Sequence, residues 1–164
     1  MSAPRAQEDD LELVEVPFGS DLYRRALALR EAILRVPLGL SLSPDELADD
    51  ARRQHFCAIS RGAVVGSVSM EPLDGETVQL RQMAVMADRR LEGIGTRLLA
   101  CGEGWAQSQG YRTIVLNARL DSNGFYARSG YRAEGEPFEE NTVPHIRMTK
   151  RLATRWSRVT KEEV

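Results

Sequence analysis

Lysine is nearly absent from this chain: Lys150 and Lys161 are the only two, and the rest of the positive charge is arginine. That is a bias of composition, with no chemistry read into it. The 22 basic side chains are scattered among 24 acidic ones, for a net charge of −2, and nowhere do they cluster. A reader of nucleic acid needs a basic footprint, so no nucleic-acid partner is expected. Cysteine is scarce as well. Cys57 and Cys101 stand apart, with no second Cys or His at ligand spacing around either, so no metal is expected. They read as small buried apolar side chains in a reducing compartment. No apolar run approaches the ~20 residues that cross a bilayer. Met1–Asp10 is polar and acidic, unlike a secretory leader. A cytoplasmic protein with no membrane partner is the expectation.

What is present fits one globular domain. The chain has 164 residues, 42% apolar and 28% charged. Residues 1–10 lack periodicity and are expected to fray. Residues 11–151 carry the domain, and 152–164 form a charged tail with Trp156, read as a last helical turn, a disordered end or a homodimer contact. Leu11–Val16 alternates as an opening strand. Ser20 and Asp21 can cap a helix whose Leu22, Ala26, Leu29 and Ile33 share a face. Ser43-Pro44-Asp45-Glu46 spells an N-cap, a first-turn proline and a capping-box glutamate, for a short second helix to about Ala51.

Strands follow at 56–60 and 63–71 around the turn Arg61-Gly62, then at 77–86 after Pro72-Leu73-Asp74-Gly75. This fourth strand changes parity. Its apolar positions are Val78 and Leu80, then Met83 and Val85, which implies an extra residue near Gln82, a β-bulge. A helix with Ile94, Leu98, Cys101 and Trp105 on one face ends at Gly110, and 113–117 is a buried strand. A short helix capped by Asp121 or Ser122 carries Phe125 and Tyr126, and strands at 131–137 and 143–151 complete the pattern. The predicted architecture is α/β (α+β): a single mixed sheet of about seven strands with helices on both faces.

The strongest chemical signal is Arg90-Leu91-Glu92-Gly93-Ile94-Gly95-Thr96, a glycine-bearing turn that opens a helix five residues after Met83-Ala84-Val85. Main-chain N–H groups converge at such a turn, and the helix dipole adds partial positive charge, so a pyrophosphate is favoured there. Gly93 and Gly95 keep a Cβ from holding the phosphate away. Unpaired backbone groups at Met83–Val85 can hydrogen-bond an extended amide-bearing chain as an added strand would. Neither G-x-G-x-x-G nor G-x-x-x-x-G-K-[ST] is present, which disfavours a dinucleotide fold and excludes a P-loop.

Leu80–Gly95 resembles motif A of the GNAT (Gcn5-related N-acetyltransferase) superfamily, [Q/R]-x-x-G-x-[G/A], here Arg90-x-x-Gly93-x-Gly95. Leu116–Arg119 followed by Phe125-Tyr126-Ala127-Arg128-Ser129-Gly130-Tyr131 resembles motif B, and Phe138–Met148 is similar to the ending of the ElaA/YjcF-like branch, with Asn141-Thr142 in place of its glycine-containing turn. The similarity spans roughly residues 20–150. It implies a sheet splayed between strands 4 and 5 around acetyl-CoA, which donates its acetyl group to an amine of a small molecule or peptide by direct attack. Carried over, Met83 and Val85 meet pantetheine, and amides of Leu91, Glu92, Gly93, Ile94, Gly95 and Thr96, after Arg90, hold the pyrophosphate. The amide of Met83 or Ala84 faces the acetyl carbonyl.

Asn117 reads equally as a ligand of pantetheine or substrate and as a strand-end turn residue. Tyr126 is a core aromatic or, as the resemblance implies, the general acid that protonates the leaving thiolate. The glutamate that some members carry midway along the fourth strand is missing, with Gln79 and Arg81 in its neighbourhood. Glu71, His145, Glu139 and Glu140 remain as candidate bases, beside a base acting through water. A CoA-binding sensor without chemistry, or transfer of another acyl group, are the competing readings. The acidic group Asp45, Glu46, Asp49 and Asp50 reads as a lure for a cationic amine or as a solvated helix face.

Overall fold

The structure is a computed structural model that describes residues 10–90 and 92–153. The frayed start and the charged tail expected from sequence lie outside the described residues, except for Asp10, Leu152 and Ala153. Leu152 is buried, and its amide donates to Arg112 O at 2.7 Å. The strands are β1 (Leu11–Val16), β2 (Gln54–Ser60), β3 (Ala63–Pro72), β4 (Thr77–Val85), β5 (Thr113–Arg119), β6 (Arg132–Glu140) and β7 (Val143–Arg151). The helices are α1 (Asp21–Leu34), α2 (Pro44–Ala48), α3 (Ile94–Ser108) and α4 (Asn123–Arg128). The strands form one mixed seven-stranded sheet in the order β1-β2-β3-β4-β5-β7-β6. β4 and β5 run parallel, as a strand–helix–strand crossover through α3 requires. Their register runs from Thr77↔Thr113 to Gln79↔Val115.

By contact density the described residues fall into two units, one within Met1–Met70 and Gln82–Gly102, the other within Glu71–Arg81 and Glu103–Val164. In the first, Ser20 caps α1 by accepting from Tyr23 N at 3.1 Å. Ser43 and Glu46 close the reciprocal capping box of α2, with Glu46 N to Ser43 Oγ at 3.2 Å and Ser43 N to Glu46 Oε2 at 2.8 Å. α2 stops at Ala48, and a 3-10 turn (Asp50–Arg52) carries the chain into β2. A Cβ on Gly66 would stand 2.8 Å from Leu98 Cδ1 and 3.0 Å from Ile94 Cγ2. The glycine thus lets α3 lie close on β3, and Leu98 and Ile94 are sealed from solvent.

This unit also buries charge. Asp50 is fully enclosed and accepts from Tyr23 Oη (2.5 Å), Arg30 Nη1 (2.9 Å) and Arg53 Nη1 (2.7 Å). Burial alone would raise its carboxyl, but the Tyr23 hydrogen bond and the Arg30 and Arg53 guanidinium groups outweigh that and hold it below the usual carboxylate range. His55 Nε2 lies 2.8 Å from Asp50 O and Nδ1 2.8 Å from Ser69 Oγ. A carbonyl only accepts, so Nε2 carries the hydrogen and Nδ1 accepts from the serine. Burial lowers the pKa of His55 and keeps it neutral.

Both shifts have the same sign. The unfolded chain takes up protons before the folded one, so stability is full above the unfolded histidine value of about 6.5 and is lost as pH falls, first through His55 and later through Asp50. The urea midpoint is expected to drop between pH 7 and 5, and a midpoint flat across that range would refute a neutral buried His55.

In the second unit β5 runs to Arg119, two residues beyond its expected end, in antiparallel register with β7 from Thr113↔Arg151 to Arg119↔His145. β6 extends to Glu140 and pairs with β7 around a register shift between Glu134 and Phe138.

Candidate functional site

Gln82 takes φ 57°, in the left-handed region that a non-glycine residue enters only at a break in regular structure. The interruption of β4 therefore falls where the parity change puts it. The deeper side chain beyond it is Ala84, however, whereas Met83 and Val85 are half-buried. The buried apolar positions Val78, Leu80 and Ala84 keep one parity, so the change in the apolar pattern coincides with the irregularity without tracking the core, a small alanine carrying little periodic signal. Met86 N then donates to Val65 O at 2.9 Å, returning the chain to β3.

A 3-10 turn (Ala87–Arg89) leads to Arg90, which is exposed. Leu91, expected to contribute an amide, lies outside the described residues. Arg89 Nε donates to both carboxylate oxygens of Glu92, at 2.9 and 3.0 Å, so the one anionic side chain in the expected phosphate turn is matched by a cation. Gly93 takes φ 82° and is exposed. The first helical bond of α3 runs from Arg97 N to Gly93 O at 3.0 Å, so the amides of Ile94, Gly95 and Thr96 lie ahead of the intrahelical ladder. Ile94 anchors the turn in the core, and Thr96 is exposed. A Cβ on Gly93 would meet nothing within 4 Å among the described residues outside its chain neighbours. Open amides at a helix entry, with the local carboxylate neutralised, suit an anion.

A family model described as an acetyltransferase (GNAT) domain matches residues 41–152. The chain belongs to the GNAT acetyltransferase family. A Bacillus subtilis protein that carries the name acetyltransferase is 28% identical over 130 residues, which is 76% of this chain and 86% of its own. Among solved structures, Escherichia coli ElaA has a TM-score of 0.72 at 22% identity and covers 85% of this chain and 99% of its own. A GNAT family acetyltransferase from Elizabethkingia anophelis, solved with acetyl-CoA bound, has a TM-score of 0.67 at 20% identity, covering 88% and 99%. Both structures share the GNAT fold with this chain.

The remaining expected GNAT site residues lie in the second unit. Tyr126, on α4, is 7% exposed, with its ring 4.9 Å from Phe125 and 5.9 Å from Tyr131 between centroids. Burial pushes its phenol up, so the hydroxyl keeps its proton through the neutral range. Asn117 lies within β5, not at its end. Its Oδ1 accepts from Arg147 Nη1 at 3.2 Å, and its Nδ2 lies 3.5 Å from Glu140 Oε1. The side chain expected to meet a ligand is therefore engaged by β6 and β7. Arg147 was missed from sequence, and only the β5–β7 register, which pairs it with Asn117, could have found it.

The candidate bases divide. Glu71 pairs with Arg81 at 3.6 Å, and Glu139 is exposed on β6. His145 is buried, with Nδ1 2.7 Å from Val143 O and Nε2 3.6 Å from Glu140 Oε2. In the first unit, three of the four carboxylates read as a lure for cations already have guanidinium partners: Glu46 with Arg35, Asp49 with Arg52 at 2.8 Å, and Asp50 as described. Those three carboxylates are held by partners within the fold. Among the described residues no cluster of three or more His, Cys, Asp or Glu could hold a metal, and no helix is long and apolar enough to cross a membrane.

Proposed function

We propose that this GNAT member transfers the acetyl group of acetyl-CoA to a primary amine of a small molecule or peptide, by direct attack in a ternary complex. One observation carries the reading: within a single compact unit, a strand broken at Gln82 runs into a left-handed glycine turn at the entry of α3, whose first amides lie ahead of the helix's own hydrogen bonds. Main-chain groups of Met83, Ala84 and Val85 would hydrogen-bond the pantetheine amides, and those of Glu92–Thr96 the pyrophosphate. An amide at Met83 or Ala84 would donate to the acetyl oxygen as negative charge develops there. Tyr126 is assigned the proton that the departing sulfur takes up. Acetyl-CoA bound in the Elizabethkingia relative supports the choice of carrier.

Gly93 tests the carrier half of the proposal. Valine there brings a β-branched side chain to a left-handed φ and a Cβ to the phosphate's side of the turn. Gly93→Val is expected to weaken CoA binding at least tenfold by calorimetry, and undiminished affinity would remove the turn from the account. A panel of amines with acetyl-CoA, followed by thiol release, tests the transfer half. Tight binding with no turnover on any amine would favour a sensor without chemistry.

A further inference from the structure

At neutral pH an amine arrives as an ammonium and must shed a proton before its lone pair can attack a thioester. Glu71 already faces the Arg81 guanidinium, and Glu139 stands exposed on β6. His145 is placed differently. Its Nδ1 lies 2.7 Å from the Val143 carbonyl, which only accepts, so Nδ1 holds the hydrogen and the neutral ring presents its lone pair at Nε2. The main chain has chosen the tautomer. Phe138 stacks on the ring at 6.1 Å and 25°, fixing its plane. Glu140 Oε2 stands 3.6 Å from Nε2, too far for a hydrogen bond to the neutral ring but within ion-pair distance of a protonated one. Asn117, itself held by Arg147, steadies the other oxygen of that carboxylate.

The fold places His145 opposite Arg119, the last residue of β5. After three intervening residues α4 begins, carrying Tyr126. Both side chains thus stand at the carboxyl end of a strand that runs parallel to β4, the end at which open parallel sheets receive their ligands.

We propose that His145 is the general base of the transfer, with Glu140 and Asn117 as its positioning residues. The inference rests on the amine-acetylation reading above. The N–H bond of the ammonium breaks, its electron pair stays on nitrogen, and a bond from Nε2 to hydrogen forms. The nitrogen pair then bonds to the acetyl carbon, and the C–S bond breaks with its pair on sulfur. Two protons leave nitrogen overall. One passes through Nε2 to water, and the other balances the proton taken up by sulfur.

The test follows thiol release with any amine the wild type acetylates, across pH, in His145→Gln and Glu140→Gln. The charged groups facing the imidazole are Glu140 from β6, Arg119 opposite on β5, and Arg147 through Asn117. His145→Gln is expected to lower kcat about 10²-fold or more, with KM for acetyl-CoA unchanged. The plateau on the alkaline side should be replaced by a rate that keeps climbing as free amine accumulates. Glu140→Gln, a change at a half-exposed site, removes the carboxylate 3.6 Å from Nε2, so kcat should fall while KM for acetyl-CoA holds. A wild-type profile in a folded His145→Gln overturns the base. An unchanged kcat in Glu140→Gln overturns it also, and that arm stands if the histidine variant does not fold. A wild type silent on every amine overturns the amine-acetylation reading instead, and this inference with it.

Discussion

Tyr126→Phe is expected to cut kcat about 10²-fold while leaving acetyl-CoA affinity intact. General acids contribute ~10²–10⁴-fold, and burial argues for the lower end. The same enclosure that keeps the phenol protonated lifts its pKa well above that of a thiol, about 8.5. Complete transfer to sulfur is then uphill, and the hydroxyl acts chiefly by hydrogen-bonding the developing thiolate. Phenylalanine keeps the ring contacts with Phe125 and Tyr131, so loss of fold is not the expected source of the defect. The check is turnover across pH together with calorimetry. A kcat equal to wild type at every pH would take Tyr126 out of the chemistry and return it to the core.

The second large effect is on stability. Asp50→Ala removes a fully enclosed carboxylate that holds Arg30 and Arg53, both themselves buried, and strips the Tyr23 hydroxyl of its acceptor. Breaking a buried pair by deleting one partner costs about 3–5 kcal/mol, a large share of the ~5–15 kcal/mol that holds a domain together. Arg30 already leaves Nε and Nη2 without partners among the described residues, so losing the carboxylate at Nη1 adds a further unmet donor to a buried cation. The shift in urea midpoint measures this, and a loss under 1 kcal/mol would show that water reaches the guanidinium groups. Deleting an exposed pair such as Asp21–Arg24, 3.7 Å apart, should change the midpoint far less.

What could be read in advance was what local chemistry dictates. Ser20, Ser43 and Glu46 announce their helices because capping acts over three residues. Arg61-Gly62 announces its hairpin by backbone preference. The irregularity at Gln82 lies where the apolar pattern changes parity, although the buried apolar positions Val78, Leu80 and Ala84 keep a single parity. The arrangements that stayed hidden join residues far apart in the chain. Asp50 meets Tyr23 and Arg30 across 27 and 20 positions, and Asn117 meets Arg147 across 30. Nothing in a composition or a spacing tells an acidic residue that will be enclosed by arginines from one that will face water. Asp50 was accordingly grouped with its exposed neighbours. Asn117 looked terminal only because the apolar run ends before it, whereas hydrogen bonding to β7 carries the strand on to Arg119.

The outer strand β6 has a consequence for how the molecule behaves in company. It ends the sheet, so its far side offers main-chain groups to any passing extended segment, the usual beginning of aggregation. Here that rail is spoiled. The register breaks between Glu134 and Phe138, Gly135 turns left-handed, and Pro137 has no N–H to offer. Glu134, Glu136 and Glu139 line the same stretch, exposed, with charges of one sign. An incoming strand would find neither a continuous ladder nor a neutral surface, so the sheet has reason to stop at β6.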